Sequence, residues 1–288
     1  LGEGEELTEE LIVLLKKAKA QGWTKQRYLQ EAAKIPGVYV PSMYEVSYHA
    51  DGTVERIVPI GGAPEKVTKR VVDMDKALFP TKPIVPSTEI VQDRIMLELF
   101  RGCIRGCRFC QAGYVYRPVR NRSEELCRNY GLDALHNSGY QEMTLSSLST
   151  SDYLPLLQLC DDLDDECQRR HIQLSLPSLR ADNFSLELSE KLARGRKVGL
   201  TFAPEAGTQR LRDAINKNLT EEDLFATLQR AFSAGWNSVK LYFMLGLPTE
   251  TDEDILGIAE IAAKVMHTWR EYASNKARGV RITVSTSW

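Results

Sequence analysis

The chain has 288 residues, of which 43% are hydrophobic and 26% charged, with a formal net charge of -2. That length can bury a substantial core, and the composition is that of a globular chain rather than a fibrous or disordered one. No apolar run approaches the roughly 20 residues that cross a bilayer, nothing near the start reads as a signal peptide, and the near-neutral charge excludes a broadly basic nucleic-acid surface while leaving room for a local patch. A cytoplasmic protein without a membrane partner is expected. Because the chain starts at Leu1 without a methionine and closes inside the apolar run 280–284, a piece of a longer protein is expected.

In chain order, Leu11, Leu14, Leu15 and Ala18 recur at helical spacing and predict a helix over 7–21, ended by Gly22. A second short helix over 25–34 stops at Pro36-Gly37. The pattern then changes to short strand-like runs at 38–40, 44–48 and 53–58. Asp51-Gly52 sits where a hairpin turn would fall, so a small half-buried sheet is expected. Residues 79–88 carry Pro80, Pro83 and Pro86 and read as a linker. These shifts in pattern divide the chain into a helical segment (1–37), a β-rich bridge with its linker (38–88) and a third domain (89–288).

The alternating run 95–100 reads as a strand that ends where Cys103, Cys107 and Cys110 begin. Three thiolates spaced CxxxCxxC, with Gly102 and Gly106 to let the loop close tightly, form a candidate metal site. An iron-sulfur cube normally takes four thiolates, so three leave one iron open. Structural zinc wants four ligands, and the nearest histidine, His136, falls inside a helical pattern. A disulfide framework is a poor match for three clustered cysteines. Cys127, Cys160 and Cys167 lie on helical stretches without ligand spacing. A non-catalytic iron-sulfur or zinc-binding module that organises partners stays open as an alternative to an enzyme.

Beyond the cysteines, helical and strand patterns alternate, the mark of a parallel sheet or barrel. Helices are predicted over 124–138, 152–170 with Ser151 as N-cap, 186–193, from the capping box Thr220-Glu221-Glu222-Asp223 to Gly235, and over 252–272. Strands are predicted over 142–145, 171–176, 198–202, 238–245 and 279–284. With the strand before the cysteines this makes six units, an α/β fold in which a small α+β segment precedes a partial (β/α)6 TIM-like barrel.

The cysteine loop, with Phe109 as the aromatic of CxxxCxΦC, resembles the signature of the radical S-adenosylmethionine (SAM) superfamily. The wider string from Arg101 to Ser123 resembles an uncharacterised branch with a cobalamin-binding-type N-terminal domain, related to the methylthiotransferases and the Elongator catalytic subunit. The resemblance covers the chain from about Val91 onward. It implies a 4Fe-4S cluster on Cys103, Cys107 and Cys110 whose open iron is chelated by the amino and carboxylate groups of SAM. One electron, from an external reductant of flavodoxin or ferredoxin type, then cleaves SAM to methionine and a 5'-deoxyadenosyl radical. Methyl, methylthio or related modification of RNA, a protein such as a ribosomal one, or a small molecule is the class of outcome implied.

Gly2-Glu3-Gly4-Glu5 ahead of the first helix resembles the last strand-loop-helix of a cobalamin-binding-type domain and makes cobalamin a third cofactor compatible with the chain. An acidic N-terminal helix cap accounts for the same residues. At the strand ends, Ser146 and Ser147 offer hydroxyls to the methionyl group, in place of the glycine-glycine-glutamate motif common in the superfamily. Arg180 offers a partner for a carboxylate, and Glu205 resembles the acidic residue that holds SAM in cobalamin-binding-type relatives. Phe109 offers a ring to the adenine, and Gly246-Leu247-Pro248 resembles the GxP loop that passes along it. Arg117, Arg120 and Arg122 form an arginine-rich stretch suited to an anionic partner or to internal salt bridges.

Overall fold

The computed structural model describes residues 2–177, 180–181, 199–277 and 279–288. The predicted helix over 186–193 and the start of the strand predicted over 198–202 lie outside the described residues. The chain divides into two compact units, Leu1–Leu78 and Phe79–Trp288.

In the first unit the helix Glu5–Ala20 carries Glu5 and Glu6 in its first turn and Lys17 and Lys19 in its last, matching the helix dipole at both ends. The helix Lys25–Ala32 follows, with the Thr24 side chain accepting from Arg27 N at 3.3 Å. β1 (Tyr44–Tyr48) and β2 (Val54–Pro59) form the expected antiparallel hairpin, and Asp51 Oδ1 stiffens its turn by accepting from Thr53 N at 2.9 Å. The hairpin differs from expectation in being mostly exposed on both faces. No strand forms at 38–40. Pro41 instead starts a 3-10 turn, Pro41–Met43, and Val40 packs with Ala33 and Met43.

The second unit contains two three-stranded parallel sheets that follow chain order. In one, β3 (Ile95–Glu98), β6 (Glu142–Ser146) and β7 (Gln173–Ser175) pair in sequence. In the other, β8 (Leu200–Glu205), β9 (Ser238–Met244) and β10 (Arg281–Ser287) do the same. The helices Glu124–Ser138, Leu156–Arg169, Glu221–Ser233 and Asp252–Tyr272 lie between strands in the chain. This is the expected six-strand partial barrel. The period-two alternation of β9 explains its register: Val239, Leu241 and Phe243 are each 1% exposed or less and stabilise the core by on the order of 2 kcal/mol apiece.

Three local departures bear on the site. The first strand stops at Glu98, after which β4 (Phe100–Arg101) pairs antiparallel with β5 (Arg120–Asn121) and closes residues 102–119 into a loop. The helix predicted over 152–170 begins at Leu156 with Pro155 at its cap, because Asp152, expected inside it, belongs to a 3-10 turn and is held by Arg105. A short helix absent from the sequence reading, Gln209–Ala214, follows β8 and is capped by Thr208.

The turn after β8 rests on the start of the helix Asp252–Tyr272. A Cβ on Gly207 would stand 2.2 Å from Asp254 O and 2.5 Å from Ile258 N, so only glycine fits. Asp254 closes a capping box with Thr251, whose N donates at 2.8 Å, and also accepts from Thr208 and Arg210. Burial alone would raise the Asp254 carboxyl, but these donors outweigh it and hold the pKa at about 2. The stabilising contribution is therefore full above about pH 4 and fades as pH falls toward 2. Asp254→Asn is expected to cost about 2 kcal/mol at neutral pH. In urea-unfolding series over pH, that gap from the unsubstituted chain should close between about pH 4 and pH 2.

Candidate functional site

The cysteine loop is shaped from two sides. At its root, Gly102 adopts φ +94°, and a Cβ there would lie 2.7 Å from Tyr116 O and 2.8 Å from Pro118 O, so the returning strand of the loop presses directly on it. Gly106 is also left-handed, at φ +69°. Its carbonyl accepts from Asn216 Nδ2 at 2.9 Å, and Arg108 N donates to Ile215 O at 2.9 Å. The residues that follow the helix Gln209–Ala214 thus form the far buttress of the loop.

A cavity of about 270 Å³ opens between these parts, lined by Cys103, Cys107 and Cys110 together with Phe109, Arg105, Arg180, Glu205 and Lys217. The Ser149 end of the turn after β6 lines it as well. Glu205 ends β8 at φ +69°, beside a register shift against β9. A non-glycine residue held there is a strained one, and such strain gathers at functional sites. Lys217 Nζ donates to Glu205 Oε1 at 3.0 Å, with side chains only 12% and 15% exposed, and lies 5.9 Å from the centre of the Phe109 ring.

The other two cations also have internal acceptors. Arg105 Nε donates to Asp152 Oδ2 at 2.9 Å and its Nη2 to Oδ1. Burial would raise the Asp152 carboxyl, yet Arg105 holds it below the usual carboxylate range. Arg180 Nη2 donates to the carbonyls of Lys217 and Asn218 at 3.1 and 3.2 Å. Burial pushes the Cys107 thiol up, and Lys217 and Arg180 pull it back toward thiolate.

Among the residues singled out in the sequence, the cavity brings together Cys103, Cys107, Cys110, Phe109, Arg180 and Glu205. Ser146 and Ser147 lie outside that lining; Ser146 O accepts from Leu99 N at 3.0 Å and Ser147 Oγ meets Thr150 Oγ1 at 2.9 Å. Leu247 packs in a small cluster with Ala206, Leu211 and Ile215, against which Phe109 also rests. Gly246 N donates to Glu250 Oε2 at 2.7 Å. Arg105, Asp152 and Lys217 were missed. Arg105 stands inside the cysteine motif itself, and Lys217 sits between two asparagines of the kind that favour left-handed turns.

Two arginines of the stretch turn inward, while Arg117 is exposed, 6.0 Å from the Tyr114 ring centre. Arg122 is 1% exposed, with its side chain 5.2 Å from the Tyr130 ring centre, and Arg120 is folded back onto the carbonyls of Tyr116 and Pro118. Cys127, Cys160 and Cys167 are all buried in the core.

No group of three or more His, Cys, Asp or Glu side chains converges on a single metal ion among the described residues. Three thiols spread over one wall of a cavity suit a polynuclear iron-sulfur group better than a lone zinc ion. No helix among the described residues is long and apolar enough to cross a membrane.

The family profile described as "Radical SAM superfamily" matches residues 97–262, and one described as "Radical SAM proteins, N-terminal" matches residues 1–41. An uncharacterised protein of Methanocaldococcus jannaschii is 34% identical over 212 residues, which are 70% of this chain and 46% of that protein. A tRNA-2-methylthio-N(6)-dimethylallyladenosine synthase of Lachnoclostridium phytofermentans is 22% identical over 68% of this chain and 45% of its own. The chain thus spans about half the length of these curated relatives. In fold it is similar to the cobalamin-dependent S-adenosylmethionine radical enzyme OxsB with aqua-cobalamin bound, at a TM-score of 0.58 and 16% identity, over 91% of this chain and 35% of that one.

Gly102→Ala tests the tightness of the loop. The added methyl meets two backbone carbonyls and the left-handed φ at once, so a loss of about 2 kcal/mol or more in urea unfolding is expected. The thiols of this variant should also react faster with an alkylating reagent than those of the unsubstituted chain.

Proposed function

Since the chain belongs to the radical SAM superfamily, we propose that Cys103, Cys107 and Cys110 hold a 4Fe-4S cluster and that the cavity beside them receives S-adenosylmethionine. When bound, that pair of cofactors supplies one-electron reductive cleavage of SAM to methionine and a 5'-deoxyadenosyl radical. The observation that carries this reading is the meeting of three thiols, an aromatic ring and a strained carboxylate in one cavity.

The residues of this chain bind and orient. Phe109 offers its ring to the adenine, and Glu205 accepts from the ribose hydroxyls or the methionyl ammonium. Arg180 stands on the same wall for the carboxylate. Ser146 and Ser147 hold the turn whose Leu148-Ser149 end reaches the cavity, and Gly246-Leu247 buttress Phe109 through the cluster that Leu247 shares with it. The buried pairs Lys217–Glu205 and Arg105–Asp152 keep these groups fixed and limit the entry of water.

We assign residues 1–37 to the end of a cobalamin-binding-type domain, 38–88 to a bridge and 89–288 to the barrel. The likeness in fold to a cobalamin-dependent enzyme supports cobalamin as a further cofactor of the whole protein. The methylthiotransferase kinship rests on the 22% identical relative. An external one-electron donor of flavodoxin or ferredoxin type completes the reaction, and the reducing cytoplasm suits both the cluster and the six free cysteines.

Anaerobic reconstitution followed by electron paramagnetic resonance is the test. A reduced 4Fe-4S signal that shifts on adding SAM, with SAM-dependent 5'-deoxyadenosine, is the expected result. Serine at any of the three cysteines should abolish both. A signal indifferent to SAM would return the chain to the class of electron-transfer or structural modules.

A further inference from the structure

From the way residues 216–218 are held, we infer that Lys217 is a positioning residue that sets how readily the cluster accepts its electron, with Glu205 as the opposing charge. The inference rests on the 4Fe-4S reading above.

The Lys217 backbone is fixed from several sides, its own N donating to Arg212 O at 2.9 Å. Asn216 and Asn218 on either side adopt φ +53° and +50°, a left-handed conformation that asparagine tolerates and most residues resist. Asn216 Nδ2 is bonded to Gly106 O inside the cysteine loop, and Arg180 clasps the carbonyls of Lys217 and Asn218. This framework delivers one ammonium group to the cavity that the three thiols line. Its side chain is 12% exposed, so water and salt screen it weakly.

The remaining cations of the cavity have partners of their own. Arg105 is matched through both arms by Asp152, and Arg180 supports the backbone of this turn. Lys217 and Glu205 form an opposed pair, one hydrogen bond long, in the cavity that the thiols also line. Reduction moves one electron from an external donor of flavodoxin or ferredoxin class onto the oxidised cluster. No bond forms or breaks, and no proton moves. The cluster and its thiolates gain one negative charge, which a nearby cation favours and a nearby carboxylate opposes. Lys217 therefore raises the reduction potential and Glu205 lowers it.

The test is a potentiometric titration of the anaerobically reconstituted chain, followed by electron paramagnetic resonance. Lys217→Gln should make reduction about tenfold less favourable, a downward shift of about 59 mV for one electron. Glu205→Gln should move it upward by a similar factor, and Lys217→Arg should keep the original value. A loss of packing alone would not give opposite signs at the two positions. If Lys217→Gln fails to hold a cluster, the direction for Glu205→Gln decides: upward supports the inference, and no shift or a downward one overturns it. An unsubstituted chain that loads no cluster overturns both this inference and the reading beneath it. A loaded cluster indifferent to both substitutions overturns this inference alone.

Discussion

The backbone-to-backbone contact of Gly207 with the first turns of the helix Asp252–Tyr272 is the constraint on which the site depends. A Cβ on Gly257 would stand 2.9 Å from Gly207 C and O, so both partners need the hydrogen side chain. With the chain this close, Asp254 reaches Thr208 and Arg210 as well as its own Thr251 cap. From the other side, buried Arg212 donates to Ala206 O at 3.0 Å. Residues 206–208 are thereby gripped by a helix start and a guanidinium. Glu205, one step earlier, has no freedom to relax out of its left-handed conformation. Packing thus maintains a strained carboxylate at the strand end, where the chemistry of a parallel barrel is expected.

The cavity is built from segments far apart in the chain, and its charges are arranged to limit the cost of burial. Arg105 and Asp152, Lys217 and Glu205 are paired, and Arg180 rests on two carbonyls. Leaving any one of these half-buried ions without its partner would be costly, though less so than in the full interior. The paired arrangement confines that cost and leaves the groups in fixed positions. The same economy is seen in the core, where Arg122 is sheltered by Tyr130 and its Nε donates to Glu98 O at 3.4 Å. An arginine-rich string in sequence is here divided between interior support and loop closure.

What could be read from the sequence follows from what periodicity reports. The alternation of Val239, Leu241 and Phe243, the capping box at Thr220 and the spacing of Cys103, Cys107 and Cys110 are local signals of strong local physics: the strand and the helix form where expected, and the three thiols line one cavity. The pairing of β4 with β5 could not be read, because two residues per strand carry no period. Asp152 looked like part of a helix because its attraction to Arg105 is a tertiary contact across 47 residues. Lys217 carries no signal in the sequence for the same reason: Glu205 and Phe109 become its neighbours only when the chain has folded. The serine run was placed at the correct strand end, but a turn decides which of its side chains reach the cavity, and no residue pattern records that choice.

The hydrogen bond from Asn216 to Gly106 spans 110 residues, and this bears on how the protein is made. Synthesis yields the thiols of residues 103–110 long before the wall that faces them. Until the ribosome has released the chain beyond Lys217, the cysteines form a loop without its buttress or its buried cation. Contacts so distant in the chain form late and slowly. The cavity that residues 103–110 line can therefore be complete only after residues 216–218 have been made and folded against them.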